Sequence, residues 1–386
     1  MSEVIKNQVI IPPIDAINKR RKELEATGID IINLGQGIVD FSPPEEILQE
    51  VAKEPGLFDY TPDPGLFSLR SEVAKRLGPP CKTEEIVITS GANFAFLLAA
   101  TTLFNPGDAI GIFSPYYFNH QMVLSSLRLE CVEIEPNDSY EYDLDQLEKI
   151  TEEKKLKAIV LVSPCNPSGK VFGKAELEKI AKVCVKNQIF LLMDEVYKDF
   201  VYEDGLADKI PFAHTLEGMG DLAINLGSFS KLYGMMGYRV GWLRMPLKFI
   251  DQVIKVQDMS VICACHFSQR VALKILQKNP KFTYDYLPIL KDRREKVLDR
   301  LEKSGLFEIF PSGGALFIWF RPKNMDVSAD QEVFNILEKK HVCIVSGAAF
   351  GKAWKSWFRF SFGRCNVDIL LEGANRLIEY FSELDK

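Results

Sequence analysis

Short apolar runs alternate with longer amphipathic stretches through the middle of the chain. Glu85–Thr89, Asp108–Phe113, Leu156–Val162 and Ile189–Met193 are strand-length segments, and the last two are almost wholly apolar. Such continuous runs suit strands buried on both faces of a parallel sheet. Between them lie stretches with helical character: one opened by Ser90-Gly91-Ala92-Asn93 and running through Thr102, another at Lys174–Asn187. Further helices are predicted at Ile14–Thr27, stopped by Gly28, and at Pro43–Lys53, begun by Pro-Pro. Met245–Asp258, Gln269–Gln277, Pro288–Leu301 and Asp330–Lys339 complete the helical set. Ile29–Leu34 is a short strand candidate, while Leu306–Phe310, Gly314–Phe320 and Val342–Val345 alternate as half-exposed strands do. Strands alternating with helices imply an α/β fold with a doubly wound, mainly parallel sheet, ligands gathering outside its strand ends. The later strands imply a smaller α+β unit towards the C-terminus.

Composition narrows the class. At 386 residues the chain has the length of roughly two or three domain-sized units. Its 47% apolar and 26% charged shares are those of a globular protein rather than a disordered one. A net charge of -6 argues against a nucleic-acid partner, whose binding surface would be basic. Runs such as Ala158–Val162 fall far short of the ~18–20 residues of a bilayer helix, so no membrane partner is expected. Met1–Gln8 is polar and Val9–Ile11 too short for a signal-peptide core. The eight scattered cysteines then read as reduced thiols of a cytoplasmic protein. Cys263-Ala264-Cys265-His266 has a spacing that suits no common structural zinc site, and no metal is expected.

Chemistry concentrates at the ends of the apolar runs. In Ser228-Phe229-Ser230-Lys231-Leu232-Tyr233-Gly234-Met235-Met236-Gly237-Tyr238-Arg239 a lysine sits among hydroxyls and glycines with an arginine nearby. Desolvation beside another cation favours the neutral amine, which is a nucleophile. Ser228, Ser230 and Arg239 offer what a phosphate needs, hydroxyl donors and a planar fork. An imine-forming lysine beside a phosphate grip suggests pyridoxal phosphate; a solvated loop lysine is the alternative. The amides of Gly91, Ala92 and Asn93, at a helix start, form a second anion grip. The aromatics Tyr116-Tyr117-Phe118 could stack on a flat ring or simply pack in the core. Asn166, held by Pro167, could donate its amide to a ring oxygen. Asp194 ends an apolar strand, where a carboxylate needs a partner such as a protonated pyridine nitrogen, or else is the N-cap of a helix. Tyr197, three residues on, could reach the ring hydroxyl.

The lysine run resembles the signature Ser-x-Ser-Lys-x-x-Gly-x-x-Gly-x-Arg of the class I and II aminotransferases, of the fold type I pyridoxal-phosphate family. Further matching elements extend the resemblance from about Ile31 to Gly363. The resemblance implies that Lys231 carries pyridoxal 5'-phosphate as a Schiff base, with Arg239 on its phosphate. It implies that Gly37, in Gly35-Gln36-Gly37-Ile38-Val39-Asp40-Phe41, contacts the substrate; many members have proline where Val39 stands. Tyr60, ahead of Gly65 and Leu69-Arg70, would reach the phosphate in the neighbouring subunit, making a homodimer with shared active sites. Tyr117 falls at the ring-stacking position, and Ser168 stands where threonine is usual. His120 matches a histidine behind the pyridine-binding aspartate, with a plain surface histidine as the alternative. Arg359, within Trp357–Gly363, matches the clamp on the substrate α-carboxylate, although a core-edge ion pair is the commoner role of such an arginine. By analogy the domains are 1–42, joining the small domain, 43–285, binding the cofactor, and 286–386, the small C-terminal domain.

The implied activity is ping-pong transfer of an amino group from an L-amino acid to a 2-oxo acid. Lys231 is the proton carrier, Asp194 the partner of the ring nitrogen, and Asn166 and Tyr197 tune the ring oxygen. A β-lyase acting on cysteine conjugates would use the same lysine. A non-catalytic ligand sensor of this shape is less favoured, since residues before Ile31 leave little room for a DNA-binding segment. Leu34-Gly35-Gln36-Gly37 resembles the kynurenine and glutamine aminotransferases, His120 the aspartate enzymes. Ile38 and Tyr116–Phe118 lean towards an apolar or aromatic substrate side chain, and no second arginine can be assigned to a side-chain carboxylate.

Overall fold

The computed structural model describes residues 13–203, 205–206, 209–278, 282–323 and 325–385. The N-terminal expectations for Met1–Gln8 and Val9–Ile11 lie outside them. The strands, in chain order, are β1 (Ile32–Asn33), β2 (Ile86–Thr89), β3 (Ala109–Phe113), β4 (Glu130–Ile134) and β5 (Ala158–Val162). They continue with β6 (Phe190–Asp194), β7 (Ala223–Ser228), β8 (Gly241–Arg244) and β9 (Phe307–Ile309). The last are β10 (Phe317–Pro322), β11 (Val342–Cys343), β12 (Val345–Ser346) and β13 (Phe358–Ser361).

The expected doubly wound sheet is present. Its order is β2-β8-β7-β6-β5-β3-β4, and β8 alone runs against the others among the described residues. β5 shows why an unbroken apolar run is needed. Because side chains alternate across a strand, Ile159 and Leu161 pack with Leu177, Ile180 and Cys184 of the helix Lys174–Asn187. Val160 packs on the opposite face with Phe96 and Ala99 of the helix Ala92–Leu103. The helix Lys174–Asn187 has the bounds its pattern predicts. The Glu176 carboxylate accepts the Gly173 N–H at its start, and Gln188 ends it in a left-handed turn with φ 53°.

A second, antiparallel sheet has the order β12-β13-β10-β9. Here the expectation of half-exposed strands holds for β9, where Glu308 and Ile309 are half-buried, and fails for β10: Phe317, Ile318, Trp319 and Phe320 are all buried. Both faces of β10 are covered. Trp319 packs among Phe350, Trp354 and Trp357 on one side, and Phe320 with Phe307 and Phe358 on the other, where Phe381 joins them. Val342–Val345 also divides in two, β11 pairing with β1 and β12 with β13. The expected strand Ile29–Leu34 shrinks to β1 because β11 offers it only two partner residues, Val342 and Cys343. The N-terminal helix Pro13–Ala26 reaches the same region through an Arg20–Glu338 ion pair. β4, an edge strand carrying Glu130 and Glu133, lacked the apolar signal of its neighbours. Among the described residues no helix is long and apolar enough to cross a membrane.

Candidate active site

A cavity of about 400 Å³ opens where β3, β5, β6 and β7 end. Asp194, the last residue of β6, is buried in its wall. Its Oδ1 accepts the Val196 N–H at 3.0 Å, and its Oδ2 lies 3.2 Å from His120 Nε2. His120 is 2% exposed and stacks on Phe96 at 4.2 Å between ring centroids. It is therefore no surface histidine but the buried neighbour of the carboxylate. The bond to Val196 is of the capping kind, yet the described residues 196–199 that follow form turns and not a helix, so the N-cap alternative fails. Glu195 turns away from the cavity to accept from Asn225 Nδ2 at 2.9 Å, and burial pushes its carboxyl up to about 7.

Lys231 stands on the turn after β7, and its Nζ donates to the Gly37 carbonyl at 2.6 Å. Burial, reinforced by Arg239 and Arg359, lowers the amine to about 8. At pH 7 about a tenth is then uncharged, against fewer than one in a thousand for a free lysine, and this is the form that can attack a carbonyl or accept a proton. The solvated-lysine alternative does not fit this setting.

Two anion grips converge beside the lysine. Arg239 adopts a left-handed backbone with φ 51°, and its guanidinium lies against Gly91, where a β-carbon would fall 2.6 Å from Nη2. Ala92 and Asn93 open the helix Ala92–Leu103 and line the cavity; amides in a first helical turn have no intrahelical acceptor. Gly91 departs from the expectation: its N–H is taken by the Thr89 carbonyl at 2.8 Å. Its part is to be small and to hold φ 90°, leaving room for Arg239. Ser228, whose Oγ accepts the Ser230 N–H at 3.0 Å, lines the same end.

Arg359, on β13, is buried between the rings of Phe317 and Phe350, 4.6 and 5.1 Å from their centroids. Its Nη1 donates to Asn166 Oδ1 at 2.7 Å and its Nη2 to the Gly35 carbonyl at 2.6 Å. Burial lowers it to about 10, partly offset by Tyr197 and Tyr117. Its Nε has no partner, and among the described residues no acidic side chain pairs with it. A buried guanidinium without a counter-ion is costly, and a carboxylate entering the cavity would supply one. The core-edge ion pair is thereby excluded. Asn166 spends its carbonyl oxygen on Arg359, which leaves its NH₂ to donate into the cavity. Tyr197 and Tyr117 also line it, and burial raises both phenols so that they keep their protons.

The arrangement fits a phosphate ester carrying an aldehyde and a basic ring nitrogen. The phosphate grips stand by Lys231, and Asp194 offers an acid to a ring. The family model for Aminotransferase class I and II matches residues 29–377. The chain belongs to this family. It is an aminotransferase, and its cofactor is pyridoxal 5'-phosphate. It is 30% identical to an aspartate aminotransferase of Thermotoga maritima, over 95% of each chain. It is 32% identical to the aromatic aminotransferase ISS1 of Arabidopsis thaliana, over 92% of this chain and 90% of that one. The crystal structure of aspartate aminotransferase from Thermotoga maritima superposes with a TM-score of 0.88 at 27% identity, covering 97% of this chain and 98% of that one. An aromatic aminotransferase from Pyrococcus horikoshii gives 0.86 at 28%, covering 95% and 99%.

Of the residues singled out from this aminotransferase's sequence, Gly37, Ala92, Asn93, Tyr117, Asn166, Asp194, Tyr197, Ser228, Lys231, Arg239 and Arg359 line the one cavity. Tyr60 does not: it is 76% exposed on the surface. Ile14, Asn18, Val196 and Met236 also line the cavity and had carried no signal. Ile14 and Asn18 come from the N-terminal helix, whose spacing says only that one face is apolar.

Proposed function

We propose that this aminotransferase takes amino donors with an uncharged, apolar or aromatic side chain, with Lys231 as its proton carrier and Arg359 as its carboxylate clamp. The observation that carries the residue roles is the Lys231 amine, lowered to about 8, sharing one cavity with Asp194, Arg239 and the unpaired Arg359. When bound, pyridoxal phosphate supplies an electrophilic aldehyde and a ring that accepts the electron pair left at the donor's Cα. Arg239, Ser228 and the Ala92 and Asn93 amides hold the phosphate. Asp194, backed by His120, holds a proton at the ring nitrogen. Asn166 and Tyr197 would donate to the ring oxygen, and Tyr117 would offer its aromatic face to the ring. Arg359 would turn the donor so that its Cα hydrogen faces Lys231, whose neutral Nζ would take that proton as a base and then, as an ammonium, be the acid that gives it back. The walls left for the substrate side chain include Ile14, Ile38 and Phe118, with Asn18 and Gln36 the polar, uncharged members. The cationic residues among the described lining are Lys231, Arg239 and Arg359, each already engaged. Among the described residues lining the cavity, a distal carboxylate would therefore find no cation of its own.

The division at residues 42 and 285 is proposed with it, supported by the β1–β11 pairing of the N-terminal segment with the C-terminal part. So is a homodimer in which exposed Tyr60 reaches the partner's phosphate. A cytoplasmic location is supported by the free thiols of the eight cysteines, three of them buried. Borohydride treatment of the loaded protein followed by peptide mass analysis should place the cofactor on Lys231, and on no lysine of Lys231→Ala. Cofactor found on another lysine would overturn the assignment. A panel of donors with a 2-oxo acid acceptor tests the substrate class. Aspartate preferred over phenylalanine would reject it, and pyruvate and ammonia released without an acceptor would indicate elimination.

A further inference from the structure

One loop holds both reactive cations. Between β1 and the helix Glu45–Val51, the Gly35 carbonyl accepts from Arg359 Nη2 and the Gly37 carbonyl from Lys231 Nζ, each at 2.6 Å. Further along it, Asp40 turns away from the cavity towards the helix Leu287–Lys303. There Arg293 grips its carboxylate with two bonds, Nη2 to Oδ2 at 2.6 Å and Nη1 to Oδ1 at 3.1 Å. Arg293 Nη1 also donates to the Gly363 carbonyl at 3.3 Å, just beyond the strand that carries Arg359. Gly363 presses on the same loop, for a β-carbon there would stand 2.4 Å from the Ile38 carbonyl oxygen. Phe41, next to Asp40, packs on Tyr286 at 4.5 Å between ring centroids. Arg293 is buried, and neither it nor Asp40 lines the cavity.

We propose that Arg293 is a positioning residue of the active site: its hold on Asp40 and the Gly363 carbonyl fixes the 35–41 loop against β13, and the loop carbonyls set where the Lys231 amine and the Arg359 guanidinium stand. The inference rests on the roles given to Lys231 and Arg359 above. A planar guanidinium can serve the carboxylate and the carbonyl together from one fixed plane. Lysine at 293 would keep the charge but could not span both. A shift of the loop by about 1 Å would misplace both cations at once, a displacement that costs reactions on the order of 10²-fold.

The test uses the full, cofactor-loaded chain as Arg293→Lys, Arg293→Met and Asp40→Asn. Val297→Ala, a buried apolar position one turn along the same helix whose side chain can make no hydrogen bond to the loop, serves as the control for lost stability. Backbone hydrogen exchange of the peptide spanning 34–41 should quicken by about tenfold or more in Arg293→Met, with Arg293→Lys between it and the parent. KM for the best donor should rise by about tenfold, a larger factor than the fall in kcat. Val297→Ala should leave both readouts within about twofold of the parent. Arg293 variants whose loop exchange and KM match those of Val297→Ala would overturn the proposal, as would Arg293→Lys behaving like the parent. If Arg293→Met does not fold, Arg293→Lys and Asp40→Asn decide. Arg359→Leu separates the two layers: unchanged donor binding there removes the clamp assignment, while the exchange result still judges the loop.

Discussion

Lys231 shows how a residue's chemistry is set by its neighbours. Free lysine loses its proton near 10.5, whereas burial and two arginines bring this one to about 8. Between those values the unfolded chain binds more protons than the folded one, so stability rises with pH across that window. Below pH 8 the charged amine weighs fully against folding, and above 10.5 the penalty is gone. The cofactor-free Lys231→Leu protein should therefore be more stable than the parent at pH 7, by up to about 3 kcal/mol, since each tenfold loss of proton affinity on folding costs ~1.4 kcal/mol. The gap should close towards pH 10.5, as thermal melts across pH would record. Asp194→Asn removes the carboxylate proposed to hold a proton at the ring nitrogen; kcat should fall by about 10²–10⁴-fold, read by steady-state assay. That Lys231 and Asp194 stand out together was legible because the residue types are improbable where they stand: a lysine among glycines, a carboxylate ending an apolar strand. His120 was left undecided because nothing in its flanking residues says that helix Phe118–Ser126 turns it towards Asp194.

Elements were legible in proportion to how strictly their environment patterned them. Helix Lys174–Asn187 covers one sheet face and presents the other side to water, so its bounds could be placed to the residue. β5 and β6 are covered on both sides, and their unbroken apolar runs say so. The same logic was missed at β10, where Leu316–Phe320 is itself an unbroken apolar run and aromatic residues enclose the strand on both sides. Element geometry also makes Gly91 testable. Gly91→Ala forces a β-carbon into Arg239 at a φ of 90°, displacing the guanidinium proposed to grip the phosphate from the first turn of the helix Ala92–Leu103. Cofactor affinity should weaken by about tenfold, or ~1.4 kcal/mol, measured by titrating the apo protein.

The molecule as a whole raises the matter of Tyr60. It is 76% exposed and does not line the cavity of its own chain, as a residue destined for a partner's site would not. If sites are shared, Tyr60→Ala and Lys231→Ala proteins mixed under subunit exchange should recover activity that neither has alone. Each heterodimer then holds one site with both residues intact. No gain on mixing would place Tyr60 outside the chemistry. Nearby Phe58 and Phe67 are 92% and 64% exposed, an apolar surface in keeping with a covered interface.

What the amino-acid order determined by itself was local: which runs are strands, which turns carry a lysine, an anion grip or a carboxylate, and hence the cofactor and reaction class. Those signals are written within a few neighbouring residues, because backbone conformation, helix starts and strand burial are set at that range. Only the tertiary structure decided that Arg359 meets Asn166 and Gly35, that Gly91 gives way to Arg239, and that Arg293 holds Asp40. Each of these depends on segments far apart in the chain being packed together, and no local pattern encodes which distant partner a side chain will find.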